Sequence, residues 1–476
     1  MKRFIIDLYN SKEYNKPILF YSLFSAWLLS LPFEGQILSS LYLKNSLDLS
    51  NLSLIIIGVL IIGLISAGYF VDNIIKAKKV SRIITYLVIF GSIVFFFPPS
   101  SLWTILILIL SFLGGVYIGT WGFYYRLYAP GKTKIEVIGK VLILSNLFMI
   151  LINVVTINIS PFIGLGVSIL FLILSIVFLE QTGIKSNLEE YSSAINKIQN
   201  FKPIVLLLLF IVILTITSGL MYTVINPAFS YLKTLTSWYW AVPYIFVIYI
   251  LIKSPNRINK SYVLYFAITL IGLSFLLFLI LDRSWISYIV INSLMMGAYG
   301  VCDLFWWSII GELFDYVKNP AKLFGLGLAA NILGILIGST LGSEFININY
   351  KLNPAILAMI IIFIILLILH LLYKYLSFII SDHIFLIHHY YNEEISEDKK
   401  RDYTTRYPDL TNRENEIVNL LFTGRTYKMI AEELFLSENT IKTHIKNIYS
   451  KHNVQSKAEL IKTLELKPII KKIKEK

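Results

Sequence analysis

Uninterrupted apolar runs constrain this chain more than any other feature. A helix needs about 20 residues to cross the hydrocarbon core of a bilayer, and runs of that order recur near 17–36, 51–71, 80–98, 102–124, 135–157, 161–180, 203–226, 238–253, 261–281, 285–310, 323–343 and 353–377. Lipid offers backbone N–H and C=O groups no partners, so segments of this length close their hydrogen bonds as helices. Composition agrees: 56% of the 476 residues are hydrophobic and 15% are charged, against about a quarter charged in soluble domains. A soluble globular enzyme and a disordered chain are both excluded. The expected fold is all-α, a polytopic membrane bundle of twelve helices followed by a small C-terminal domain.

The longest polar stretch inside the apolar part is 181–202. It divides the bundle into two six-helix halves, 1–180 and 203–377, with 181–202 as a central cytoplasmic loop. Lys and Arg concentrate in alternate loops, at 1–16, 71–82, 125–134, 180–202, 253–260 and 311–322, while the intervening loops carry single charges such as Lys44, Lys233, Arg283 and Lys351. Basic residues stay on the cytoplasmic side of short loops, so both termini are expected in the cytoplasm. The first run is too long for a signal peptide and lacks a small-residue cleavage site. Lys and Arg number 42 against 29 Asp and Glu, a net charge of +13. Loop bias and a nucleic-acid surface both produce such an excess. The one cysteine, Cys302, lies in an apolar run and has no intrachain disulfide partner; this fits a bacterial inner membrane or a cytosolic setting.

The loop after the second run carries Gly68-x-x-x-Asp72 followed by Lys76. With the two six-helix halves, this resembles the major facilitator superfamily, although Asn73 stands where a basic residue is expected and Ile75 where a second glycine is. The resemblance implies a two-bundle transporter fold. A second Gly-x-x-x-Asp, Gly311 to Asp315, falls where half-to-half symmetry does not place it and reads as coincidence.

Beyond 377 the composition changes. Residues 378–391 remain apolar and aromatic, as suits an interface, and 392–406 are charged, as suits a linker; together 378–408 form a juxtamembrane segment and tether. Residues 409–476 form the second domain. Thr411 and Glu414 make a capping box, Gly424 is placed to end the helix that follows, a short helix spans 426–434, and Ser437 caps a third. In that third helix Ile441, Ile445, Ile448 and Tyr449 share one face. Asn439, Thr440, Lys442, Thr443, Lys446 and Asn447 then point outward, offering cations for phosphates and amides and hydroxyls for base edges. A last helix near 456–464 makes four. The ordered run Leu410, Thr411, Arg413, Glu414, Gly424, Ile430, Ala431, Leu434, Ser437, Thr440, Lys442, His444, Ile448, Tyr449, Lys451, Glu459 and Leu460 resembles the LuxR-type helix-turn-helix family. His452-Asn453 replaces the family's usual Leu-Gly. The resemblance implies that the third helix contacts double-stranded DNA and that the domain pairs as a homodimer through its last helix.

Ionisable residues inside membrane runs are costly and point to function. Asp303 lies well inside the tenth run beside Trp306-Trp307 and reads either as a ligand or proton site or as a structural helix-to-helix hydrogen bond; Glu34, Lys140 and Glu312, nearer run ends, read as structural. His370, His383, His388 and His389 are spread by their spacing rather than gathered, which favours interfacial anchoring, then a pH-responsive switch, over a metal site. The sequence shows no phosphate-binding loop, nucleophile triad or paired carboxylates, so neither an enzyme nor a cofactor is expected. The expected function is a membrane-bound transcription regulator whose transporter-like domain senses a small molecule. A secondary transporter with a DNA-binding tail and a transport-inactive membrane anchor are the other readings.

Overall fold

The computed structural model describes residues 15–33, 35–45, 50–129, 134–183, 202–254, 260–347, 354–377, 409–422 and 436–452, together with 407, 427, 430, 431, 434, 454, 459 and 460. All regular structure in them is helical, and the chain divides into two compact units, 1–386 and 387–476.

The first unit contains α1 (Asn15–Ser30), α2 (Gln36–Lys44), α3 (Ser50–Phe70), α4 (Ile74–Ile93), α5 (Ser101–Tyr128), α6 (Lys134–Asn158), α7 (Pro161–Gln181), α8 (Lys202–Leu220), α9 (Ala241–Lys253), α10 (Lys260–Ile280), α11 (Trp285–Leu313), α12 (Pro320–Asn347) and α13 (Pro354–Ser377). Among the described residues, eleven helices are long and apolar enough to cross a membrane. The expected first span ends elsewhere: α1 ends at Ser30, before the expected end at 36, and a new helix, α2, starts at Gln36. Pro32 in this break has no N–H to continue the ladder, while Leu31 and Phe33 turn their N–H groups back to Trp27 and Leu28. Outward faces of the long helices are apolar, with Ile62, Phe90, Phe246 and Leu367 exposed, so the surface itself is suited to lipid.

Two groups of helices form. α1 packs on α6 and α7, and α3 on α5; in the other group α8 packs on α12 and α13, and α11 on α9 and α10. α12 joins the groups, touching α3 and α5 as well as α8. Glycine makes these crossings possible. A Cβ on Gly219 of α8 would run into the Ile335 carbonyl of α12, and one on Gly338 into the Ile216 carbonyl of α8; Gly325, near the other end of α12, meets the Leu64 carbonyl of α3 in the same way. Gly334, Gly338 and Gly342 repeat every four residues along one face of α12, the small-residue spacing that lets helix backbones approach in lipid.

The basic ends of the helices gather at one end of the bundle. Lys16 donates to the Gln181 carbonyl at 3.2 Å and Lys78 to that of Thr182 at 2.9 Å. Arg82 pairs with Glu180 there. Asn319 donates to the carbonyls of Gly68 (2.9 Å) and Val71 (2.8 Å), and its own carbonyl caps α12 by accepting from the Lys322 N–H at 3.1 Å. Asp72 of the loop motif pairs with Lys76 at 2.6 Å, and Asn73 caps α4. In the second Gly-x-x-x-Asp, Gly311 leaves room for the Tyr125 ring, and Asp315 pairs with Lys134 at 2.7 Å.

The second unit contains α14 (Asn412–Phe422) and α15 (Glu438–His452) around a core of Leu410, Ile417, Val418, Leu421, Ile430, Ala431, Ile441, Ile445, Ile448 and Leu460. The capping box is formed: the Thr411 N–H donates to Glu414 at 2.8 Å and the Glu414 N–H to the Thr411 hydroxyl at 3.3 Å. The Ser437 hydroxyl accepts from the Thr440 N–H at 3.1 Å and starts α15. Gly424, most of 426–434 and most of 456–464 lie outside the described residues, so the second and fourth expected helices are not delineated. Lys451 in the last turn of α15 reaches Glu414 at 2.6 Å, tying the two described helices together. Burial pushes the Glu414 carboxyl up, but the Lys451 ammonium and the two Thr411 hydrogen bonds outweigh it and hold the group below the ordinary carboxylate range.

Two outcomes follow from this packing. Gly338→Leu should separate α8 from α12 and lower stability by at least the roughly 1–3 kcal/mol of an overpacked core, read as a lower Tm in fluorescence-detected size exclusion; Gly166→Ala, whose Cβ meets open space, should leave it unchanged. In the second unit, a carboxyl whose pKa is depressed by folding adds stability above its unfolded pKa of about 4.3, and that stability is lost as pH falls through the folded value. Glu414→Gln keeps a cap acceptor but not the charge. It should therefore cost about 0.5–1 kcal/mol at pH 7, allowing for the exposed Lys451, and flatten the loss of stability below pH ~5, measured by urea titration of fragment 387–476 followed by circular dichroism.

Candidate DNA-recognition helix and membrane cavity

α15 buries one face and exposes the other because its isoleucines recur at helical spacing. Ile441, Ile445 and Ile448 are buried, while Asn439, Lys442, Thr443, Lys446 and Asn447 are exposed. Thr440 differs from its neighbours: it is half-buried, and its hydroxyl lies 2.7 Å from that of Ser437. Lys442 pairs along the helix with exposed Glu438 at 2.9 Å, an exchangeable contact in water that a phosphate can replace. The Thr443 hydroxyl donates back to the Asn439 carbonyl at 3.0 Å. Arg413 braces α14 against the segment before α15 by donating to the Leu434 carbonyl at 2.7 Å. The recognition strip is thus borne on a helix held at both ends, by the Ser437 cap and by the Lys451–Glu414 pair.

In the membrane unit, Asp303 lies mid-way along α11 and lines a cavity of about 230 Å³ between the two groups of helices. Its carboxylate accepts from the Tyr244 hydroxyl of α9 at 2.8 Å and from the Trp306 indole N–H at 3.0 Å. These two neutral donors orient the carboxylate; no lysine, arginine or histidine lines the cavity among the described residues. α8 widens into a π turn over Met221–Ile225. Pro227 supplies a reason, having no N–H to offer the turn before it, and π turns are frequent at functional sites. Met221 and Tyr222 from this turn line the Asp303 cavity and also a second cavity of about 640 Å³, which shares Trp240 and Met296 with the first and continues to Gln36, Ser39 and Ser230. These residues lie at the end of the bundle away from its basic loops.

The basic end is tied shut between the groups. Lys134, at the start of α6, is 2% exposed and sits 2.7 Å from Asp315 and 3.3 Å from Glu312, both beyond or at the end of α11. Tyr125 donates to the Lys134 carbonyl at 3.2 Å and Arg126 to the Val317 carbonyl at 3.4 Å. Lys140 pairs with Glu136 one turn away at 2.7 Å, whereas Glu34, His383, His388 and His389 lie outside the described residues. Lys134, Tyr244 and the Glu414–Lys451 pair were not singled out from sequence as site residues. The first sits in a loop of several basic residues, and Tyr244 in an apolar run without a charge to mark it.

The profile described as GerE, bacterial regulatory proteins, luxR family, matches residues 408–464. The chain is 38% identical over 63 residues to the spore germination protein GerE of Bacillus subtilis, covering 13% of this chain and 84% of that protein. It is 54% identical over 54 residues to the uncharacterized response regulatory protein YgeK of Escherichia coli, covering 11% and 37%. It is 42% identical over 60 residues to the HTH-type transcriptional regulator MalT of Vibrio campbellii, 13% of this chain and 7% of that one, so it spans only a small part of that relative. The membrane unit has the fold of the human organic anion transporter MFSD10 (TM-score 0.57, 14% identity, 75% of this chain and 97% of that one). It also resembles a bacterial homologue of the iron transporter ferroportin (TM-score 0.56, 15% identity, 75% and 98%). Through its C-terminal DNA-binding domain the chain belongs to the luxR family of bacterial regulatory proteins, and that domain is fused to a multi-pass membrane unit of major-facilitator-like fold.

Proposed function

We propose that this protein is a membrane-bound transcription regulator in which the transporter-like unit senses a small molecule and thereby controls the luxR-type domain. The observation that carries the reading is the Asp303 cavity between the two helix groups, in the same chain as a strip of exposed Asn439, Lys442, Thr443, Lys446 and Asn447 with half-buried Thr440 at its start. The chain resides in a bacterial inner membrane with both termini cytoplasmic and twelve spans. The alternation of basic loops supports that orientation, and the basic end of the bundle is then its cytoplasmic end.

A ligand reaches Asp303 from the end lined by Gln36, Ser39 and Ser230. Its binding favours one arrangement of the helix groups, and the Lys134 pairs with Glu312 and Asp315 set how readily the cytoplasmic end separates. A ligand shifts such an equilibrium only by its differential affinity for the two arrangements. The tether at 378–408 passes the change to the DNA-binding domains, which pair as a homodimer because two half-sites multiply the few base contacts that one small domain makes. A cavity at the junction of two groups also supports a second reading, a working secondary transporter carrying a DNA-binding tail.

Two measurements test the sensing reading. Lys442→Ala with Lys446→Ala should leave fragment 387–476 folded by circular dichroism and weaken DNA binding. Each lysine that touches only a phosphate should lower the salt slope by about one when removed, and a base contact should cost about 1–3 kcal/mol at one position. Gel-shift titrations at several salt concentrations read both, and unimpaired binding by the folded double variant would remove α15 from the interface. Asp303→Asn at unchanged protein level should alter expression of the genes adjoining DNA sites mapped in cells; an unaltered response returns Asp303 to a structural role.

A further inference from the structure

We infer that the Asp303 cavity takes a small organic monocation with an apolar, aromatic-compatible body; this rests on the sensing reading and names the class of its ligand. The carboxylate supplies the charge argument. Asp303 is placed by two neutral donors, Tyr244 and Trp306, and no ion pair to it is formed among the described residues. Charge this far from water is strongly unfavourable unless it is neutralised. With no lysine, arginine or histidine among the lining residues, neutralisation comes either from a proton on the carboxyl or from a cation that enters, and an entering cation leaves Tyr244 and Trp306 donating to a charged acceptor, the stronger kind of hydrogen bond.

The walls decide between cations. Hard metal ions such as Ca²⁺ and Mg²⁺ require several oxygen ligands around one point. Here one carboxylate stands in a mostly apolar lining whose other oxygens belong to neutral hydroxyls and amides, and the described residues hold no cluster of three His, Cys, Asp or Glu side chains able to bind a metal. An ammonium with an organic body fits instead. Trp306 and Trp307, with ring centroids 5.2 Å apart, flank the carboxylate on α11, and Trp240 and Tyr299 add further ring surface. Aromatic faces attract an organic cation by the ring quadrupole and its body by apolar contact. The Asn331 amide and the Asn146 carbonyl oxygen, whose amide nitrogen is occupied at 2.8 Å by the Leu142 carbonyl, leave polar groups to orient substituents. Anions are disfavoured by the same carboxylate, and the modest volume of about 230 Å³ suits one ring with a short amine arm.

The test uses the full-length protein in lipid nanodiscs and isothermal titration calorimetry. The probes are benzyltrimethylammonium, phenethylammonium and tetraethylammonium, with neopentylbenzene as the neutral isostere of the first and benzenesulfonate as an anion. At least one aromatic cation should bind at least tenfold more tightly than neopentylbenzene, and benzenesulfonate should not bind. Asp303→Asn should weaken cation binding at least tenfold while leaving the neutral isostere unaffected; Asp303→Glu, which retains the charge, should recover part of the loss and guards against a variant that merely misfolds. Equal affinity for cation and neutral isostere, or no binding of any of the three cations at millimolar concentration by protein that elutes as a single species, overturns the inference. Cation binding through Asp303 without any change in target-gene expression leaves this site standing and defeats the sensing reading. An Asp303-dependent change in expression without cation binding does the reverse.

Discussion

Helices already dissolved in lipid gain little from hiding apolar side chains from one another, since the surrounding acyl chains are as apolar as leucine. Their association depends on backbones coming close enough for dispersion contacts along a whole crossing. α12 supplies that contact to both groups of the bundle. Gly334, Gly338 and Gly342 admit α8 along one length of it, and Gly325 admits α3 along another. These crossings place the two groups of the bundle against one another through α12.

Space remains where the close contacts lapse. α6 and α11 both line the cavity that holds Asp303, through Val141, Ser145 and Met149 on one side and Met296 and Tyr299 on the other. At the basic end the same two helices are joined by the Lys134 pairs with Glu312 and Asp315. A nearly buried lysine bound to two carboxylates is stabilised by attraction at low dielectric but carries a desolvation cost, so the balance is narrow. An end that is tied by narrowly balanced charges, opposite an end that is lined by a continuous cavity, is an arrangement in which modest ligand energies can shift the population of states.

The DNA-binding unit relies on a different solvent and a different kind of stabilisation. Its two described helices bury isoleucines against one another, and polar contacts at the helix ends, Glu414 with Lys451 and Ser437 with Thr440, hold α15 in place. A small domain of this sort has a modest core, so each cap and ion pair represents a substantial share of its stability. The exposed face of α15 contributes little to that stability, so its lysines and amides are not fixed by the needs of the core.

The sequence by itself determined the helical nature of the membrane unit, the alternation of basic loops and the face that α15 turns outward. Each depends on local periodicity or on composition, and water or lipid acts on those directly. The strip on α15 was readable because Ile441, Ile445 and Ile448 leave only one face for the core. The end of the first span lies earlier than the apolar run, since apolarity continues past Pro32 while the hydrogen-bond ladder of α1 does not. Tertiary structure alone decided that Asp303 meets Tyr244, 59 residues away, that Lys134 meets Asp315, 181 residues away, and that Lys451 meets Glu414. Pairing between distant charges and donors depends on which helices cross and at what depth, and those crossings are chosen by backbone approach at glycines, whose partners a linear pattern does not name.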